Sequence, residues 1–241
     1  MPTVYFASAD ALFATVAARW RTDLAARPRG VRYCLALSGG RSAQGLFMAL
    51  TAVWTPPPDG LVDVHFFWAD ERCVPSADSA SNFGLAQHGL LGPLGVPPAQ
   101  IHRVHGELEP GRAAAEASLE LCQTAPTQHQ GIPVLDLVLL GMGEDGHVAS
   151  LFPEVPMIEP AAAGSEAVYR AVASPKLPRD RVTLDYATLA AARRVWVLVT
   201  GADKQDALKR SLRPDGKTPL ARLGRLRGVT WVFVDQRLSP L

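Results

Sequence analysis

"LDLVLLGMGEDGHVASLFP", Leu135 to Pro153, joins an apolar run to a glycine-rich loop. The run Leu135–Leu140 has the unbroken apolar character of a strand buried on both faces of a sheet. Gly141-x-Gly143-x-x-Gly146 then reproduces the spacing of a dinucleotide-binding fingerprint. Such a fingerprint opens the first βα turn of its domain, runs into a full helix, and is followed about 20 residues on by an acidic residue at a strand end. Here the glycines lie past mid-chain, and Pro153 limits any helix to under two turns. Glu144 and Asp145 would face the pyrophosphate, while Glu159 and Glu166 fall in the right distance range but not at a strand end. The dinucleotide reading is set aside. His147 instead stands where a loop leaves a strand end, with Asp145 beside it. An imidazole titrating near about 6.5 suits a general base at neutral pH, and the alternative is a hydrogen-bonded surface histidine.

Working outward, the same alternation of apolar strand and helix fills the chain. Leu12, Phe13, Val16, Ala17, Trp20 and Leu24 recur at helical spacing, and Pro28–Gly30 stops that helix. Val31–Leu37 predicts a buried strand, Ser42–Trp54 a helix ended by Pro56–Pro58, and Val62–Trp68 a second strand. Further on come a helix over Gly111–Gln123, a loop at Thr124–Pro133, and strands at Ala167–Ser174 and from Arg181, the latter leading into a helix. A strand at Arg193–Thr200, a helix at Gly201–Leu212 and a last strand at Gly228–Asp235 complete the pattern. Alternating apolar strands and helices predict a parallel sheet covered on both faces. The fold class is therefore α/β: a three-layer, open, mostly parallel Rossmann-like sheet, as one domain over residues 1–241.

Composition narrows the function. The 241 residues carry a net charge of +1, so no overall field draws nucleic acid or an acidic membrane. No apolar run approaches the roughly 18 to 20 residues of a membrane span. The opening "MPTVYFASADALFATVAARW" has no basic start and carries Asp10, unlike a secretory signal. Cys34, Cys73 and Cys122 are odd in number and lack a C-x-x-C pair, which fits a reducing cytoplasm better than a disulfide framework or zinc site. His102-x-x-His105 has no third ligand nearby and reads as loop, so no metal site is expected. No Gly-x-Ser-x-Gly is present.

Four predicted strands end in polar or glycine-rich segments: Ser38–Arg41, Ala69–Arg72, Gly141–His147 and Thr200–Lys204. In open parallel sheets the ligand crevice lies at the carboxyl ends of the strands, so these segments should converge. Gly39 and Gly40 join a strand to a helix, a geometry that can hold a phosphate on backbone N–H groups, although an ordinary tight turn has the same pattern. Arg72 and Lys204 add charge suited to a phosphate monoester. Arg41 and Arg181 fit either phosphate contact or a solvated face. Asp70 and Glu71 point opposite ways from one strand, so one is expected to orient Arg72 and the other to support a neighbouring loop.

On these blocks, together with "FFWADERCVPSADSASNFG", "RVTLDYATL" and "VLVTGADKQDAL", the chain resembles the 6-phosphogluconolactonases over nearly its whole length. "ASLFP" after Gly-His matches them rather than the glucosamine-6-phosphate deaminases of the same fold, which continue into a Phe-Asn-Glu-Pro-like sequence. Arg41, Ser42 and Ala43, and also Glu144 and Val148, depart from the usual pattern. The resemblance implies hydrolysis of 6-phospho-D-glucono-1,5-lactone to 6-phosphogluconate, without metal or redox cofactor, by a cytoplasmic monomer with no nucleic-acid or membrane partner. It implies His147 as base oriented by Asp145, phosphate held by Gly39, Gly40, Arg41, Arg72, Arg181 and Lys204, and Asn82 on the sugar. N–H groups of the Gly141, Gly143 and Gly146 turn are expected at the oxyanion. A phosphosugar isomerase or deaminase on the same scaffold, or a non-catalytic sugar-phosphate sensor, remains the alternative.

Overall fold

Apolar runs that alternate with helices settle into one twisted sheet because each strand must bury both faces. The computed structural model describes residues 1–54, 59–153, 155 and 168–235. Its elements in chain order are β1 (Thr3–Tyr5), α1 (Ala9–Ala25), β2 (Tyr33–Leu37), α2 (Arg41–Val53), β3 (Val64–Trp68), β4 (Asp70–Arg72) and α3 (Asn82–Ala86). Then come α4 (Pro110–Thr124), the short β5 (Gln128–His129) and β6 (Ile132–Pro133), β7 (Leu137–Gly141), β8 (Tyr169–Ala173) and β9 (Asp180–Leu184). The chain continues through α5 (Tyr186–Ala191), β10 (Val195–Val199), α6 (Gln205–Leu212), α7 (Pro219–Leu226) and β11 (Trp231–Val234). The triple proline expected to end α2, and Glu159 and Glu166, lie outside the described residues.

The central sheet has the order β1-β11-β10-β7-β2-β3, and all its pairings are parallel. Every residue of β2 and β10 is buried, as a sheet covered on both sides demands. Helices α1 and α2 pack together, and α7 packs against both α5 and α6. Under the right-handed crossover rule the two opposite directions of winding put these groups on opposite faces. Helix α1 begins at Ser8, whose side chain accepts the Ala11 N–H, and buries the six residues that carry its helical spacing. The core is rich in large side chains; Trp20 meets Trp54 at 4.6 Å between ring centroids.

Two features set up the site. First, the winding reverses between the adjacent strands β2 and β7: the chain moves one way from β2 to β3 and the other way from β7 to β10 and β11. Such a switch point opens a crevice at the strand carboxyl ends. Second, β4, β9 and β8 form a separate antiparallel sheet. The sequence reading expected the strands at 169 and 181 to join one mostly parallel sheet. Only six residues connect β8 to β9, whereas a parallel crossover needs about a dozen or more, so the pair must turn back on itself. Ala69 joins the two sheets: its N–H donates to Leu37 O and its carbonyl accepts from Leu184 N–H. The loop expected at Thr124–Pro133 contains the small β5–β6 hairpin.

Candidate active site

The four strand-end segments meet. Residues from all of them line one cleft of about 310 Å³ at the switch point, together with residues of β9 and of the β8–β9 connection. Between β2 and α2 the chain turns through Gly39 and Gly40. Gly40 caps α2 with φ 84° and no side chain satisfies the first-turn N–H groups, which leaves them open toward the cleft. Gly39 is required by its neighbour: a Cβ there would lie 1.8 Å from Asn82 Oδ1. Asn82 itself is buried, donates its amide to Asp70 O at 2.8 Å, and keeps Oδ1 without a protein partner where it lines the cleft.

Four cations come from four segments of the chain. Arg72 on β4 and Arg181 on β9 are direct cross-strand partners. Arg181 is buried, and that burial together with the charge of Arg72 lowers its pKa. Like charges set opposite one another are unfavourable unless an anion joins them. Arg72 donates Nη1 to Ala80 O, and its Nε is buried without a protein partner. Lys204 is 7% exposed; burial, then Arg41, lowers its pKa, and its ammonium meets no hydrogen-bond or ion-pair partner among the described residues. Arg41 is different. Its side chain is 69% exposed and pairs with Asp203, bridging the first and fourth segments at the cleft mouth.

The carboxylates beside Arg72 are committed to structure. Glu71 accepts the backbone N–H groups of Arg72, Asn82 and Phe83, each at 2.7 Å, and the Ser81 hydroxyl at 3.2 Å. It thus holds Arg72 by its main chain rather than by its guanidinium. Asp70 accepts Ser150 Oγ at 2.7 Å and so pins the segment that follows His147.

The glycine loop turns tightly on itself. Gly143 N–H donates to His147 O at 2.9 Å and Gly146 N–H to Gly143 O at 3.0 Å. These two N–H groups are therefore occupied inside the turn, and Gly141 lies in β7 paired with β10. Gly143 instead makes room for the base, since a Cβ on it would stand 2.1 Å from His147 Cε1 and Nδ1. The space is occupied by the imidazole. Asp145 Oδ1 meets His147 Nδ1 at 2.5 Å and accepts the His147 N–H at 3.1 Å. Burial opposes the charge of Asp145, yet the hydrogen bond and charge of His147, with Lys176 behind, hold its carboxyl well below the usual range. With Nδ1 donating to this carboxylate, Nε2 carries the free lone pair.

Lys176 and Phe152 escape sequence reasoning. Lys176 lines the cleft from the β8–β9 connection, with Nζ 3.5 Å from Asp145 Oδ2, and nothing around "SPKLPRD" distinguishes it from a surface lysine. Phe152 tilts over the His147 ring at 4.6 Å between centroids; in sequence it is one more apolar residue of "ASLFP", with nothing to mark it as a neighbour of the base. His102 and His105 lie in a loop as expected, with His102 stacked on Phe67 and bonded to His65 and Glu120, away from the cleft. Among the described residues no group of histidine, cysteine or acidic side chains could hold a metal, and no helix is long and apolar enough to cross a membrane.

Residues 7–232 match the family described as glucosamine-6-phosphate isomerases/6-phosphogluconolactonase. The 6-phosphogluconolactonase of Treponema pallidum (strain Nichols) is 38% identical over 178 residues, covering 72% of this chain and 70% of that protein. The 6-phosphogluconolactonase of Streptomyces coelicolor is 34% identical over 216 residues, with 85% and 80% covered. In three dimensions the 6-phosphogluconolactonase from Trypanosoma cruzi is similar with a TM-score of 0.82 at 26% identity, over 97% of this chain and 94% of that one.

Proposed function

The chain belongs to the glucosamine-6-phosphate isomerase/6-phosphogluconolactonase family, and from that premise we propose that it hydrolyses 6-phospho-D-glucono-1,5-lactone to 6-phosphogluconate, the lactonase step of the oxidative pentose phosphate pathway, with His147 as general base. The observation that carries the mechanism is the make-up of the cleft: His147, oriented by Asp145, lines it together with Lys204, whose ammonium has no partner among the described residues, and Arg72, whose Nε has none.

The phosphate is held by Arg72, Arg181 and Lys204 with the open first turn of α2 behind Gly39 and Gly40; Arg41 contributes at the rim through its bridge to Asp203. Binding energy from this remote group positions the reacting carbonyl. Asn82, with its unpartnered Oδ1, meets the sugar hydroxyls. His147 Nε2 takes a proton from water as the water oxygen bonds to C1, and the carbonyl electrons move onto oxygen. Lys176 stabilises that oxyanion in place of the turn amides. As the intermediate collapses, the bond from C1 to the ring oxygen breaks, and His147 returns its proton to that oxygen. The new carboxylic acid ionises, so each turnover releases one proton.

Acid release above the spontaneous rate measures the reaction. His147→Ala should lower turnover by about 10²- to 10⁴-fold while 6-phosphogluconate still binds. Undiminished turnover removes His147 from the mechanism. Background release by the intact chain, with turnover of an amino or keto sugar phosphate, would make it an isomerase or deaminase.

A further inference from the structure

The turn that presents His147 rests on an element outside the cleft. Gly146, the residue before it, has φ +87°, and a Cβ built on it would lie 2.7 Å from Thr218 Cγ2. Its carbonyl accepts the Leu220 N–H at 3.3 Å. The first turn of α7 is thus the floor under the glycine loop. Thr218 is itself fixed by a directional chain of hydrogen bonds. Ala221 N–H donates to Thr218 Oγ1 at 3.2 Å, and Ser211 Oγ donates to Ala207 O at 2.7 Å. The serine has then used its only hydrogen, so in the 2.6 Å pair of hydroxyls Thr218 donates and Ser211 accepts. That pair ties α6 to α7, and α6 begins directly after Lys204.

We propose that Thr218 is a positioning residue that holds His147 in register with Lys204, so that the base and the phosphate ligand belong to one rigid body. The inference rests on the roles given above to those two side chains. Neither Thr218 nor Ser211 lines the substrate cleft; Thr218 lines instead an open depression on the far side of the turn, beside Asp145 and Pro153. Any effect of either on turnover must therefore pass through the turn.

Thr218→Val keeps the shape but removes the hydroxyl. Turnover of the lactone should fall roughly 10-fold, inside the range that a displacement of about an ångström can cost. KM and the affinity for 6-phosphogluconate should stay near the wild-type values. Thr218→Ser, which restores the hydroxyl, should recover most of the loss. In a His147→Ala background Thr218→Val should lower kcat no further, because no base remains to be misplaced. Undiminished kcat in Thr218→Val, an equal rise in KM, or the same loss with and without His147 would each overturn the proposal. Full activity of His147→Ala alone would instead strike the base assignment, so the two failures are separable. Should Thr218→Val not fold, Ser211→Ala removes the acceptor of the same hydroxyl and carries the test: lowered kcat at constant KM supports it, and wild-type kcat overturns it.

Discussion

Gly143→Ala is a one-carbon test of the glycine loop. The added Cβ would start 2.1 Å from the His147 ring and 2.8 Å from Asp145 Oδ1, whereas ordinary van der Waals contact begins at 3.4 Å. The ring must retreat by about 1.3 Å, the difference between those separations. Phe152, 4.6 Å away between centroids, restricts where it can go, and the 2.5 Å bond to Asp145 cannot survive the move. The backbone raises no objection, because Gly143 is not among the glycines with positive φ, so alanine meets no strain of its own. The turn and its two internal hydrogen bonds therefore persist while the base is misplaced. A displacement near 1 Å costs about 10²-fold in rate, or about 2.7 kcal/mol of barrier. The assay is proton release from freshly generated lactone with the spontaneous rate subtracted, alongside calorimetric binding of 6-phosphogluconate. Turnover should fall about 10²-fold with product affinity nearly unchanged, since the phosphate ligands are untouched. Gly143→Ala combined with His147→Ala should be no slower than His147→Ala alone. A fully active Gly143→Ala variant would refute the claim that this glycine exists to make room for a working imidazole.

Two further substitutions probe Lys204 and the support of Arg72. Lys204→Met keeps the length but removes the buried charge. KM for the phosphorylated lactone should rise at least about 10-fold, since hydrogen bonds to charged groups are worth about 1.5–3 kcal/mol. Glucono-1,5-lactone, which lacks the phosphate, should be hydrolysed at the wild-type rate, and an equal loss on both substrates would exclude Lys204 from the phosphate site. Glu71→Gln sets two effects against each other. Burial raises the pKa of Glu71 and makes its charge costly, so neutralising it could stabilise the fold. However, the carboxylate accepts three backbone N–H groups and a hydroxyl, and the amide nitrogen of glutamine can accept none. Leaving a buried donor unmet costs about 1–3 kcal/mol, so urea unfolding should show a net loss of stability. A variant as stable as the parent would mean that desolvation dominates.

Five of the six central strands are legible in the sequence because each carries a largely apolar run of its own, and polar segments after four of those runs mark one end of the sheet. Three-residue β1 at the edge carries no such run. What the sequence could not carry was pairing at a distance. Arg72 and Arg181 are neighbours only because β4 and β9 pair, and three-residue β4 has no periodicity of its own. The supporting roles expected of the acids at 70 and 71 could not be given partners, because Ser150, Asn82 and Phe83 lie on other segments. Nor does the sequence show that a turn tight enough to present His147 uses the Gly143 and Gly146 N–H groups to close.

The electrostatics of the cleft follow from the same pairing of donors with acceptors. The chain as a whole is nearly neutral, so attraction for a phosphorylated substrate has to be made locally. Placing acids next to arginines in sequence would ordinarily cancel the field, and Asp70 and Glu71 immediately precede Arg72. Here Glu71 is occupied by a hydroxyl and three backbone N–H groups, and Asp70, which lines the cleft, by the Ser150 hydroxyl and the Asn82 amide. The guanidinium of Arg72 is left beside that of Arg181, with Lys204 in the same cleft. Such an arrangement raises the energy of the empty site, because burial and then a neighbouring like charge disfavour the charged forms of Arg181 and Lys204. A phosphate relieves that cost on arrival, so the crowded cations favour the bound state by making the empty one worse. The carboxylate kept for chemistry, Asp145, stands with His147 and Lys176, where a charge is needed only to orient the base.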